Sequence, residues 1–114
     1  MTNIIGEGYA VNHDPDAKTI SMEGIFRLNG FAEYEPVTSL LMQAFDSSEE
    51  LTLNLKSLSF LNSSGIAVLS KFVIHARDSK TATLKILGSK QISWQSKSLV
   101  NLKRLMPALE LEIE

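Results

Sequence analysis

Apolar and polar positions follow two different periods along this chain, and the changes of period mark its elements. Leu51-Thr52-Leu53-Asn54-Leu55-Lys56 alternates strictly, with leucine at every second position, which predicts a strand with one face buried. Thr81-Ala82-Thr83-Leu84-Lys85-Ile86-Leu87, stopped by Gly88, and Leu109-Glu110-Leu111-Glu112-Ile113-Glu114 alternate in the same way. Nearer the N-terminus, Tyr9-Ala10-Val11 and Thr19 to Phe26 flank Asp14-Pro15-Asp16-Ala17-Lys18, and Asn29-Gly30 follows the second run. Proline presets φ in that short segment and its aspartates can bond their own backbone, so the three pieces predict a β-hairpin. From Pro36 the period becomes helical: Val37, Leu40, Leu41, Ala44 and Phe45 line one face until Asp46-Ser47-Ser48. Pro36 suits a first helical turn, where a missing N–H costs nothing. A short apolar stretch, Leu58 to Leu61, leads through Asn62-Ser63-Ser64-Gly65 to a second helical face. That face carries Ile66, Leu69, Phe72, Val73 and Ala76, with Ser70, Lys71, His75 and Arg77 turned to solvent. A third helix, from about Ile92 to Met106, sets Leu99, Leu102 and Met106 on one side and ends at Pro107.

The order is therefore β-β-α-β-α-β-α-β, an α/β arrangement in which Leu51 to Leu87 forms a βαβ unit with an expected right-handed crossover. Parallel strands covered on both faces read as nearly continuous apolar runs. Here Thr52, Asn54 and Lys56 oppose three leucines, and Glu110, Glu112 and Glu114 oppose Leu109, Leu111 and Ile113. The pattern predicts a mixed sheet with helices packed on one face and the other face wet. It argues against a Rossmann or flavodoxin-like domain.

Composition narrows the classes of function. A chain of 114 residues, 44% hydrophobic, suits a single domain spanning residues 1–114. Eleven basic against thirteen acidic residues give a formal net charge of -2, without the basic surplus that binds nucleic acid. The absence of cysteine excludes disulfides, thiolate metal sites and cysteine nucleophiles. No run of about 20 apolar residues offers a membrane span. Residues Met1 to Glu7 lack the basic and apolar regions of a secretory signal, so a soluble cytoplasmic protein is expected.

Few residues offer chemistry. His13 and His75 are the only histidines, with no metal-ligand spacing between them, and both read as solvated surface residues. Ser63 has neither a Gly-x-Ser-x-Gly elbow nor a neighbouring histidine, so a hydrolase would need the fold to bring His75 or His13 to it. The glycines at 6, 8, 24, 30, 65 and 88 are scattered and build no phosphate loop. Trp94 reads as a core-edge residue, with a partner anchor as the alternative. That leaves Phe60-Leu61-Asn62-Ser63-Ser64-Gly65-Ile66 at a strand-to-helix junction. One of its side-chain oxygens is expected to cap the helix. A phosphoryl group on Ser63 would add about -1.5 to -2 charge, which a helix N-terminus tolerates and a docked partner would not.

This motif, with Leu53 to Leu69 around it and Leu84-Lys85-Ile86-Leu87-Gly88 after it, resembles the STAS domain family of bacterial anti-sigma-factor antagonists. The resemblance runs from about residue 8 to 114 and is most specific over residues 51 to 88. It implies a STAS-like fold and a non-enzymatic, cofactor-free regulator of a bacterial partner-switching system. By that resemblance Ser63 is the phospho-acceptor of a GHKL-type serine kinase or anti-sigma factor, and a PP2C-like phosphatase reverses the modification. Asn62, Ser63, Ser64, Gly65 and Ile66 are then the partner-binding residues. Two positions depart from the family pattern: Asn62 replaces the usual acidic residue, and Gly24-Ile25-Phe26-Arg27 puts Arg27 where an aspartate is frequent. The chain also lacks a terminal helix after its last strand, which leaves a strand edge suited to a partner or a homodimer. The alternative implied by the same family is a constitutive interaction module, an accessory subunit of a transporter or a scaffold.

Overall fold

A computed structural model describes residues 2–114; Met1, the first residue of the segment read above for a signal, lies outside them. The elements are β1 (Thr2–Gly6), β2 (Tyr9–Asp14), β3 (Thr19–Phe26), α1 (Gly30–Asp46), β4 (Glu50–Leu61), α2 (Ser63–Ser79), β5 (Thr83–Gly88), α3 (Ser93–Leu105) and β6 (Glu110–Ile113). The strands stand side by side in chain order in one six-stranded sheet. β1, β2 and β3 pair antiparallel, and β3 through β6 pair parallel. The mixed α/β sheet expected from the alternation is thus present, with one further strand ahead of the predicted series.

One-sided burial follows the alternation residue by residue. Leu51, Leu53, Leu55, Leu84 and Ile86 are buried with Ile20, Met22 and Phe26 under the helices, joined there by Phe45, Phe72, Val73 and Leu99. The opposite face carries Thr52, Asn54, Lys85 and Glu112. Its ion pairs, Lys85 with Glu112 at 3.3 Å and Lys56 with Glu114 at 3.4 Å, are exposed and add little to stability.

Three differences from the expected elements have physical causes. In β1 the neighbouring Ile4 and Ile5 do not alternate with polar residues. Ile4, paired with Val11, packs on the core, whereas Ile5 is 78% exposed. β4 is one strand of twelve residues rather than a strand and a separate apolar stretch. Its register against β3 shifts twice, and the adjacent exposed pairs Lys56-Ser57 and Ser59-Phe60 move the core positions to Leu58 and Leu61. α1 starts at Gly30, so Pro36 lies inside the helix instead of in its first turn. Tyr34, wholly buried, extends the apolar face backwards, while Pro36 sits on the exposed side where water can reach the carbonyl it leaves unpaired.

The bulged part of β4 is closed by Gln95, wholly buried at the start of α3. Its Nε2 donates to the carbonyls of Leu55 at 2.7 Å and Leu58 at 3.0 Å, and its Oε1 accepts from the Ser89 N–H at 2.7 Å. Trp94, half-buried beside it, donates from Nε1 to the Leu58 carbonyl at 3.3 Å, in keeping with a residue at the core edge.

Candidate functional site

Parallel strands that alternate with helices bring the C-terminal ends of β3 and β4 and the N-termini of α1 and α2 to one end of the molecule. The junction Leu61-Asn62-Ser63 lies there, and its polar residues have divided tasks. Asn62 is the N-cap of α2: its Oδ1 accepts from the Gly65 N–H at 3.0 Å and from the Tyr34 hydroxyl at 2.7 Å. Its Nδ2 donates to the Leu28 carbonyl at 2.7 Å, and its own N–H reaches the Phe26 carbonyl at 3.2 Å. One side chain therefore ties the start of α2 to the β3–α1 connection and to α1 itself. An aspartate here would set a carboxylate oxygen against the Leu28 carbonyl, so the amide at this position has a structural cause.

Ser64 takes a second bracing role, its hydroxyl accepting from the Gly30 N–H at 3.2 Å. Gly65 is buried because nothing larger fits: an added Cβ would stand 2.8 Å from the Tyr34 hydroxyl oxygen and 2.7 Å from Leu61 Cγ. Ile66 is half-buried against the core. Ser63 alone of the five is exposed, in the first helical position, and takes no part in this net. The Asn62 oxygens engage the N–H groups of Gly65 and Ile66, which leaves those of Ser63 and Ser64 facing the open end of the helix. No acidic residue lies in the first turn.

Apolar surface flanks this end. Phe31 at the start of α1 is 52% exposed, and Phe60 and Ile25, paired across β4 and β3, are 40% and 43% exposed. Each phenylalanine lies under a cation: the Lys71 ammonium is 5.2 Å from the Phe31 ring centre, and the Arg27 guanidinium 5.2 Å from that of Phe60. These four residues carry no periodic signal, because their grouping is made by the β4 bulge and by the proximity of the two helix starts. Arg27, singled out from the sequence as a departure, is thereby part of the site's rim.

The histidines lie elsewhere. His75 is twelve residues further along α2, about 18 Å from Ser63 at helical rise. Its Nε2 is 2.8 Å from Asp46 Oδ1 and 3.5 Å from the Ser79 hydroxyl, so it is paired rather than simply solvated. His13 is in β2, beside the Asp14–Lys18 turn at the other end of the sheet. The constellation a Ser63 nucleophile requires is therefore not assembled. Among the described residues no group of three His, Cys, Asp or Glu is placed to hold a metal, and no helix is long and apolar enough to cross a membrane.

No protein-family model matches the chain, and no curated protein matches it in sequence. Solved structures do share its fold. Apo-SiaC from Pseudomonas aeruginosa superposes with a TM-score of 0.77 at 15% identity, covering 100% of this chain and 99% of that one. A second SiaC structure from the same organism gives 0.73 at 17% identity, covering 100% and 98%. SiaC in complex with the diguanylate cyclase SiaD, which it activates, gives 0.75 at 15% identity over 100% of both chains. This chain has the fold of SiaC.

Proposed function

We propose that the chain is a non-enzymatic cytoplasmic regulator that binds a partner protein at the N-terminus of α2 and is switched by phosphorylation of Ser63. The observation that carries this reading is the division of labour at the junction. Asn62 caps the helix, Ser64 braces α1 and Gly65 permits close packing, while Ser63 is exposed and structurally idle. A phosphoryl group there would add about -1.5 to -2 charge beside open N–H groups, so the fold tolerates what a docked surface would not. Phe31 and Phe60, under Lys71 and Arg27, supply the apolar contact area such a partner would cover.

The STAS resemblance makes a GHKL-type serine kinase or anti-sigma factor the writer of this mark and a PP2C-like phosphatase its eraser. The shared fold with SiaC, an activator of a diguanylate cyclase, makes an effector enzyme of that kind a client alongside an anti-sigma factor. Phosphopeptide mapping of the protein isolated from its own cells tests the mark, and co-purification with Ser63→Ala and Ser63→Asp tests its consequence. Phosphate on Ser63, with a partner kept by the alanine variant and lost by the aspartate variant, is the expected result. An unmodified Ser63 together with equal partner recovery by both variants sinks the switch and leaves the constitutive module.

A further inference from the structure

The net charge of -2 conceals a division along the chain. Residues 1–50 hold nine acidic side chains against Lys18 and Arg27, and residues 51–108 hold nine basic ones against Asp78, before Glu110, Glu112 and Glu114 return negative charge along and just after β6. Because the strands keep chain order across the sheet, the division is carried into space. It is sharpest at the end opposite Ser63, where the parallel strands begin and the helices finish.

On the acidic side of that end lie Asp14 and Asp16 in the β2–β3 turn, Asp46 closing α1, and Glu49 and Glu50 at the start of β4. On the basic side lie Arg77 and Lys80 at the end of α2 and Lys103 and Arg104 at the end of α3, outnumbering the acidic Asp78 and the Glu110 that opens β6. Local pairing consumes part of this charge: His75 meets Asp46, Lys18 meets Glu50 at 3.5 Å, Arg77 meets Asp78 at 2.9 Å, and Lys103 holds the carbonyls of Pro107 and Leu109. Among the described residues Asp14, Asp16 and Glu49 take part in no ion pair on one side, and Lys80 and Arg104 in none on the other.

Shape reinforces charge. Between the end of α2 and the α3–β6 connection is a cleft of about 450 Å3, lined by Ala76, Ala82, Met106 and Pro107 and bordered by exposed Arg77 and Lys80. The β2–β3 turn offers the matching feature: exposed Pro15 and Ala17 on either side of Asp16. The Asp14 carboxylate accepts from the N–H groups of Asp16 at 3.1 Å and Ala17 at 3.3 Å, which holds the turn in shape.

A surface acidic on one side and basic on the other is complementary to itself under a two-fold rotation. A body of 32 × 28 × 25 Å presents an end comparable to the roughly 800 Å2 per partner that a standard interface buries. We infer that two copies of this chain associate through these ends, the Pro15-Asp16-Ala17 turn of each seated at the Arg77–Lys80 cleft of the other. Ser63 stands at the far end of the 17-residue α2, about 24 Å away, so this contact is independent of the switch.

Sedimentation velocity of the full chain over a range of concentrations, at low and high salt, tests the inference. The wild-type protein forms a dimer that weakens about tenfold or more as salt screens the paired charges. Lys80→Glu and Asp16→Lys each sediment as monomers, and an equimolar mixture of the two dimerises again, since one contact is then native and the other charge-reversed. Recovery in the mixture also shows that both variants are folded. Ser63→Asp dimerises as the wild type does. A monomer under all conditions, or a dimer indifferent to both charge reversals, overturns the inference and leaves the Ser63 reading untouched.

Discussion

The starts of α1 and α2 lie side by side at the candidate site, each preceded by an asparagine and each containing an early glycine, yet they are built differently. At α2 the asparagine side chain caps the helix and reaches two other segments, and the glycine is buried in a close contact. At α1 Asn29 makes no side-chain cap, Gly30 has φ of +68° with open space around it, and the Glu33 carboxylate accepts from the Asn29 N–H at 3.0 Å instead. The first helix start is held by its neighbour, through Ser64 and Asn62, more than by itself. The difference teaches where a modification can be borne: Ser63 stands on the start that is over-determined, so charge added to it acts on the surface and not on the fold.

The largest test of this contrast exchanges each glycine for alanine. Gly65→Ala forces a Cβ against Leu61 and the Tyr34 hydroxyl and is expected to cost about 3 kcal/mol, the upper range for overpacking. Gly30→Ala meets nothing within 4 Å and carries only the strain of its positive φ, about 1 kcal/mol. Urea unfolding of the two variants measures both. Equal losses would mean that the α2 start is not the tighter of the two.

Next in size is the asparagine pair. Asn62→Ala leaves the Leu28 carbonyl, the Tyr34 hydroxyl and the Gly65 N–H each short of a partner, an expected loss of about 2 kcal/mol. Asn29→Ala removes no cap and should fall within about 0.5 kcal/mol of the wild type. Thermal melts of the two variants side by side check the ranking, and a larger shift for Asn29→Ala would invert the comparison.

The same contrast shows what a sequence displays. Strict alternation in the first half of β4 and in β5 and β6 was legible because each buries one face only, so Leu53 and Asn54 report opposite surroundings. That one oxygen of the Asn62-Ser63-Ser64 run caps α2 was legible because the bond is local, though the pattern did not say that Asn62 supplies it to the Gly65 N–H three residues on. The bonds of Asn62 to Tyr34 and Leu28 span 28 and 34 residues, and no local pattern carries them. α1 looked shorter than it is for the same reason: Tyr34 belongs to its apolar face only because Asn62 waits for its hydroxyl. Gln95 looked like an ordinary polar position at a helix start, since the carbonyls it satisfies lie where β4 runs on past its last pair with β5, some forty residues away in sequence. Of the exposed aromatics beside Ser63, Phe60 was hidden by the β4 bulges, which turn it outward two positions after Leu58 turns in, and Phe31 by a helix start that only the fold brings near.

Tyr34→Phe probes the bond between the two helix starts with the smallest change. It removes one donor to Asn62 Oδ1 while leaving the Gly65 N–H on that oxygen, and it should cost about 1 kcal/mol near neutral pH. Burial of the phenol raises its pKa above the ordinary value near 10; the hydrogen bond at the Leu28 backbone opposes this, and the charge of Tyr9 adds to it. A tyrosine whose pKa is raised by folding stabilises the native state fully below its unfolded value, and that contribution is lost as pH climbs through the raised one. The wild type should therefore lose stability above about pH 10 more steeply than Tyr34→Phe, so the gap between the two narrows with rising pH. Denaturant midpoints measured on both sides of that value decide it. A gap that stays constant would mean that burial does not raise the phenol's pKa, whereas no gap at neutral pH would mean that the phenol does not bind α1 to the cap of α2, leaving the two helix starts joined by Ser64 and the Asn62 amide.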